Sequence, residues 1–153
     1  MLLAEPLTDQ VIGLAIEVHR HTGPGLLESV YEQCLCHELR DAGIAFVGQV
    51  SIPIVYKGAP VGDGFKADIV VAHELILEIK AVTAILPIHE VQLRNRTKVA
   101  GRPCPTRACH RACPGGALDP GVDPAIRMSG IHVGLLLNFN APRRVDGLHR
   151  YVV

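Results

Sequence analysis

Asp68, Glu78 and Lys80 have the types and spacing to do chemistry, and all three lie in one mostly apolar stretch, Phe65 to Lys80. Two carboxylates beside an ammonium could hold a divalent cation, because hard cations such as Mg²⁺ take one or two carboxylates and keep several waters. Without such an ion the arrangement is costly. Like charges facing each other across a strand pair destabilise it, and partial burial raises the penalty. Lys80 alone would offset part of it. The other reading is a partly exposed strand end carrying a Glu–Lys pair, and spacing leaves both open.

The elements that must position these residues are two strands. Ile69-Val70-Val71 and Leu75-Ile76-Leu77 are rich in β-branched and aliphatic residues and are short enough for strands. A loop of Ala72 to Glu74 makes Val71 pair with Leu75. Asp68 then falls opposite Glu78, and alternation puts Lys80 on the face of Glu78. The opposite face holds Ile69, Val71, Leu77 and Ile79.

Asp68 followed by Glu78-Ile79-Lys80 resembles the Asp…(Asp/Glu)-x-Lys signature of the PD-(D/E)xK nuclease superfamily. Gly25-Leu26-Leu27-Glu28-Ser29-Val30-Tyr31 is similar to the motif that names the GxxExxY family, a small bacterial branch of it. Leu86-Pro87-Ile88-His89-Glu90-Val91-Gln92 and Gly134-Leu135-Leu136-Leu137-Asn138-Phe139-Asn140 extend the likeness, in the right order. The resemblance covers about Leu7 to Gln92 and about Arg127 to Val152. It implies a restriction-endonuclease-like core and Mg²⁺- or Mn²⁺-dependent cleavage of nucleic acid, DNA more than RNA. By the same resemblance Asp68 and Glu78 hold the metal, with the Ile79 carbonyl as a possible further ligand. Glu28 holds a second metal or a water of the metal's shell, Lys80 positions or deprotonates the attacking water, and Gln92 orients water or a phosphate oxygen.

With 153 residues the chain suits one domain able to bury a core. Fifteen basic residues balance fifteen acidic ones, so overall charge does not point to nucleic acid, although a local basic patch could. Trp is absent and aromatics are few, which argues against a base-stacking surface. No apolar run reaches membrane length and the amino terminus does not read as a secretory leader. Five Cys, with Cys34 and Cys36 inside a helical pattern, suit reduced thiols. The expectation is a soluble cytoplasmic protein with no membrane partner.

In chain order, Leu7 to His21 reads as an amphipathic helix with Thr8 as N-cap, stopped by His21-Thr22-Gly23-Pro24-Gly25. A second helix runs from about Leu26 to Asp41, with Leu27, Val30, Tyr31, Cys34, Leu35 and Leu39 inward and Gly43 at its end. Without the resemblance Glu28 reads as a helix-start carboxylate favoured by the dipole. Extended runs Ala45 to Val50 and Ser51 to Tyr56 surround Pro53, which suggests an edge or a bulge. After the hairpin Pro87 opens a helix on which His89 and Gln92 share a face. Without the resemblance His89 reads as a surface or capping histidine. Ile131 to Phe139 is an apolar run typical of a strand covered on both faces. Leu148 to Val153 makes a last short strand.

Past Leu93 the pattern changes. Gly and Pro recur from Gly101 to Pro124, and the run from Val91 to Leu118 carries Arg94, Arg96, Lys98, Arg102, Arg107 and Arg111 and no acid. The resemblance would continue the helix to a Tyr where this chain has Arg96. Residues 94–126 therefore read as a disordered insertion, and 96–125 as poorly ordered and dispensable for folding. Cys104, Cys109, His110 and Cys113 permit a zinc reading, but their spacing is not that of paired zinc knuckles. A basic flap over nucleic acid is a third option.

The expected fold is α/β: a central mixed sheet of about five strands with helices on both sides. The site should lie where the Asp68–Glu78 face meets the helix carrying Glu28. Neutralising either carboxylate should relieve repulsion and stabilise the metal-free protein, whereas removing Lys80 should destabilise it as the sole cation on that face. The main rival function is a nuclease-like module that binds nucleic acid or a protein without cutting. The rival gains weight from the broken helix after Gln92, because a working site tolerates only about half an ångström of error.

Overall fold

Apolar residues spaced by three and four in the first forty positions become two helices. The computed structural model describes residues 5–100, 131–142 and 146–152. Helix α1 (Glu5–Thr22) buries Val11, Ala15 and Val18 on one stripe and ends at Gly23, whose φ of 67° suits glycine. It starts before Thr8, so Thr8 is a buried interior residue and not the expected N-cap. Helix α2 (Glu28–Asp41) buries Tyr31, Leu35 and Leu39. Leu27 is its N-cap position and is 74 % exposed, so it does not join the core face assigned to it from spacing. Gly43 turns the chain out, with Ile44 N–H donating to the Leu39 carbonyl.

The sheet follows. Strand β1 (Phe46–Ile52) stops just before Pro53, two residues beyond the expected end of the first run, and the second run keeps only a two-residue strand after the proline. β2 (Val55–Tyr56) and β3 (Ala59–Pro60) form a small separate ribbon. β4 (Phe65–Val71) and β5 (Leu75–Lys80) make the hairpin, in the expected register: Val71 pairs with Leu75 and Ile69 with Leu77. Ala72 and His73 both adopt positive φ, and Glu74 N–H closes onto the Val71 carbonyl, as in a tight hairpin turn. Helix α3 (Pro87–Ala100), strand β6 (Val133–Asn138) and strand β7 (Leu148–Val152) complete the described fold. Strand order is β1-β4-β5-β6-β7, antiparallel except for the parallel pair β5–β6. This is the mixed five-stranded sheet expected of the α/β class.

Period-two alternation splits the hairpin between two cores. Ile69, Val71, Leu75, Leu77 and Ile79 pack with α1 and α2. Val70 and Ile76 pack with Leu93 of α3 and Leu136 of β6. Helices therefore cover both faces.

Helix α3 corrects the expected boundary at Leu93. It continues unbroken to Ala100, so residues 94–100 are helix, where the Gly- and Pro-rich run was expected to end it, and Thr97 is fully buried. Deleting from Arg96 onward would remove a packed turn. The rest of that segment, including Cys104, Cys109, His110 and Cys113, lies outside the described residues.

Gly134 seats α3 on β6. A Cβ there would lie 2.8 Å from Thr97 Oγ1 and 2.9 Å from Leu93 Cδ1. Gly134→Ala should therefore overpack the interface and destabilise by about 1–3 kcal/mol. Denaturant titration checks it, and an unchanged midpoint would show that the helix can shift freely.

Candidate active site

The register carried one step past Ile69–Leu77 sets Asp68 against Glu78, but the ladder ends before that pair. The Asp68 side chain takes over. Its Oδ2 accepts the Ile79 N–H at 2.7 Å, in place of a backbone acceptor. Pairing also lapses on the other edge, where the β1–β4 register omits Gln49 and Asp68. Gln49 there adopts a φ of 54° and donates to both oxygens of Glu32 at 2.7 Å. Strained backbone of this kind gathers at functional sites.

Glu78 is 2 % exposed, on the face covered by α3. Lys80 Nζ lies 3.0 Å from its Oε1, as alternation along β5 requires. A second cation shares that oxygen: Arg96 Nη1, 2.5 Å away, reaches it from α3. The Arg96 contact is Coulombic, since among the described residues neither Nη1 nor Nε meets an acceptor in hydrogen-bonding geometry. Among the described residues Glu78 Oε2 is buried with no hydrogen-bond partner. Lys80 is thus not the sole cation on this face. Neutralising Glu78 would strand two charges and not merely relieve repulsion.

Asp68 is the strained member of the pair. Burial, and then the Glu78 charge, push its carboxyl up to about 6, with Glu32 adding to the rise. The Ile79 N–H and Lys80 act the other way.

Glu28 opens α2 and is exposed. Its Oε1 accepts the Ala81 N–H at 3.2 Å, one residue beyond Lys80. Glu78 meets α3, whereas α2 packs under the opposite face, from which Glu28 reaches Ala81 at the end of β5 and Glu32 ties to Gln49 and acts on Asp68. Among the described residues no three His, Cys, Asp or Glu side chains form a metal-holding group, so Asp68, Glu78 and Glu28 are not preassembled. Asp68 and Glu78 by themselves, with the orphaned Oε2, fit an ion that takes two carboxylates and keeps its waters.

Tyr31 fixes where α2 starts. Its hydroxyl donates to the Gly23 carbonyl at 2.7 Å and accepts the Leu26 N–H, and its ring stacks on Phe139 with centroids 4.5 Å apart. On α3, half-buried Gln92 precedes Arg96 by one turn. His89 Nδ1 accepts the Leu86 N–H, so it is a capping histidine. Asn138, at the level of Lys80 on β6, holds the chain leaving β5. Its carboxamide accepts from Val82 N–H and donates to the Val82 carbonyl. Arg96, Asn138 and the Glu32–Gln49 pair were not singled out from sequence as site residues. For Arg96 the signal was its seven-residue spacing from His89 on a continuing helix.

The family model of the PD-(D/E)XK nuclease superfamily matches residues 5–105. No curated protein and no solved structure matches the chain at a significant level.

A carboxyl held above its usual value keeps its proton in the folded state where the unfolded chain has lost it. Its contribution to stability is complete below the unfolded value of 3.8 and is lost as pH rises through about 6. Asp68→Asn should therefore be more stable than wild type above pH 6, with the gap closing near pH 4. Glu78→Gln should be less stable at neutral pH, by on the order of 3 kcal/mol, because it leaves buried cations unpaired. Urea midpoints at several pH values test both. A pH-independent gap for Asp68→Asn, or a stabilised Glu78→Gln, would contradict this electrostatic picture.

Proposed function

The chain belongs to the PD-(D/E)XK nuclease superfamily, and on that premise we propose that it is a metal-dependent nuclease hydrolysing phosphodiester bonds, within the GxxExxY branch. The observation that carries this reading is the buried Glu78, with one oxygen unpartnered, beside Asp68 and Lys80. Asp68 and Glu78 would hold Mg²⁺ or Mn²⁺, with the Ile79 carbonyl as a further donor. When bound, the ion supplies Lewis-acid polarisation of the phosphate and lowers the pKa of water. Lys80 is placed to orient or deprotonate the attacking water, or to balance charge developing on the phosphate. Glu28, at the end of β5, would serve a second ion or orient a water of its shell, and Gln92 would orient water or a phosphate oxygen. The substrate is nucleic acid, with DNA preferred to RNA. Among the described residues no helix is long and apolar enough to cross a membrane. Free Cys34 and Cys36 suit the reducing cytoplasm.

The rival reading, a binding module that does not cut, lost one support when α3 proved continuous past Gln92. It gains another from Glu78, whose charge is already balanced by Lys80 and Arg96.

Melting temperature with and without Mg²⁺ or Mn²⁺, together with cleavage of a panel of DNA and RNA substrates, decides between them. Wild type should gain about 2.7 kcal/mol at a hundredfold excess of metal over the dissociation constant and should cut. Asp68→Asn should weaken binding and abolish cutting, and Lys80→Ala should bind metal without cutting. No metal-dependent shift and no cleavage in wild type would favour the binding module.

A further inference from the structure

We propose that Arg96 is a built-in counter-ion that occupies the cation position at Glu78 and must leave Oε1 before a divalent ion can bind there, so that this one side chain sets the metal affinity. The inference rests on the nuclease reading above. Arg96 Nη1 lies 2.5 Å from Glu78 Oε1, the oxygen that Lys80 also contacts, while Oε2 stays unpartnered. A guanidinium built to stay would meet the carboxylate as a fork, two donors to two oxygens. Here both cations crowd one oxygen, and among the described residues Arg96 Nε finds no acceptor. At Nη1 and Nε such a pair is held by charge and buried position and not by directional bonds, so a doubly charged ion can displace it, at a cost that is subtracted from the ion's affinity. Helix α3 enforces the position. Gly134 admits Leu93 and Thr97 close to β6, and Arg96 lies between them in the sequence.

Mn²⁺ alone is the probe, titrated calorimetrically into the intact protein. Arg96→Gln should lower the dissociation constant for Mn²⁺ at least tenfold, and Arg96→Lys, which keeps the charge, should stay near wild type. Arg96→Met gives a second neutral side chain in case the Gln variant folds poorly, with folding checked by circular dichroism. In wild type the Arg96 Nε–H resonance, identified by its loss in Arg96→Gln, should shift on addition of diamagnetic Mg²⁺. Unchanged or weaker Mn²⁺ binding in a folded neutral variant would overturn the counter-ion role alone, provided Asp68→Asn still weakens binding. Absence of Mn²⁺ binding in every variant would instead overturn the metal-dependent reading, and this inference with it.

Discussion

Glu78 is a carboxylate with almost no access to water, and everything nearby is arranged around that fact. A charge in such a place persists only if other charges answer it. Lys80 does so from the same strand face, which β geometry makes unavoidable. Arg96 does so from a helix seated against the sheet by a glycine. Among the described residues Asp68 has no such cation at contact distance and is answered mainly by a backbone N–H. Two carboxylates a strand apart thus have opposite electrostatic histories. One is over-supplied with cations on a single oxygen, and the other holds its proton too tightly.

That asymmetry is sustained by polar clamps at the margins of the sheet. Tyr31 closes the loop between α1 and α2 and so delivers Glu28 to the end of β5. Asn138 fastens the segment leaving β5 through both polar atoms of its carboxamide. Gln49 and Glu32 tie the edge strand to α2 beside the point where the ladder around Asp68 lapses. None of these groups has to touch a substrate. They hold the ends of β4 and β5, where side chains replace backbone partners.

Much of this was legible in the chain, for reasons that differ by element. The β4–β5 register followed from parity, because a one-residue slip would send Ile69, Val71, Leu77 and Ile79 to the wrong face. Helices α1 and α2 followed from apolar spacing, although Leu27 and Thr8 show that spacing does not locate a terminus. The last two turns of α3 were hidden because Arg94 to Lys98 has few apolar residues and leads into a Gly- and Pro-rich run. What holds that helix is the bare surface of Gly134, which belongs to another strand and has no local signature. The role of Arg96 was hidden with it. Pairings between residues distant in sequence, such as Gln49 with Glu32 or Asn138 with Val82, depend on a fold that must already exist.

The parallel pairing of β5 with β6 carries one more consequence. Parallel neighbours need a crossover, and here it holds α3 followed by residues 101–130. The entropy lost in closing a loop grows only with the logarithm of its length, about 0.6 kcal/mol for each doubling. By that scaling a change of length in a long flexible connection costs far less than one in a tight turn. The hairpin that bears Asp68 and Glu78 has no such latitude: its turn is short, and each added residue would shift one carboxylate relative to the other.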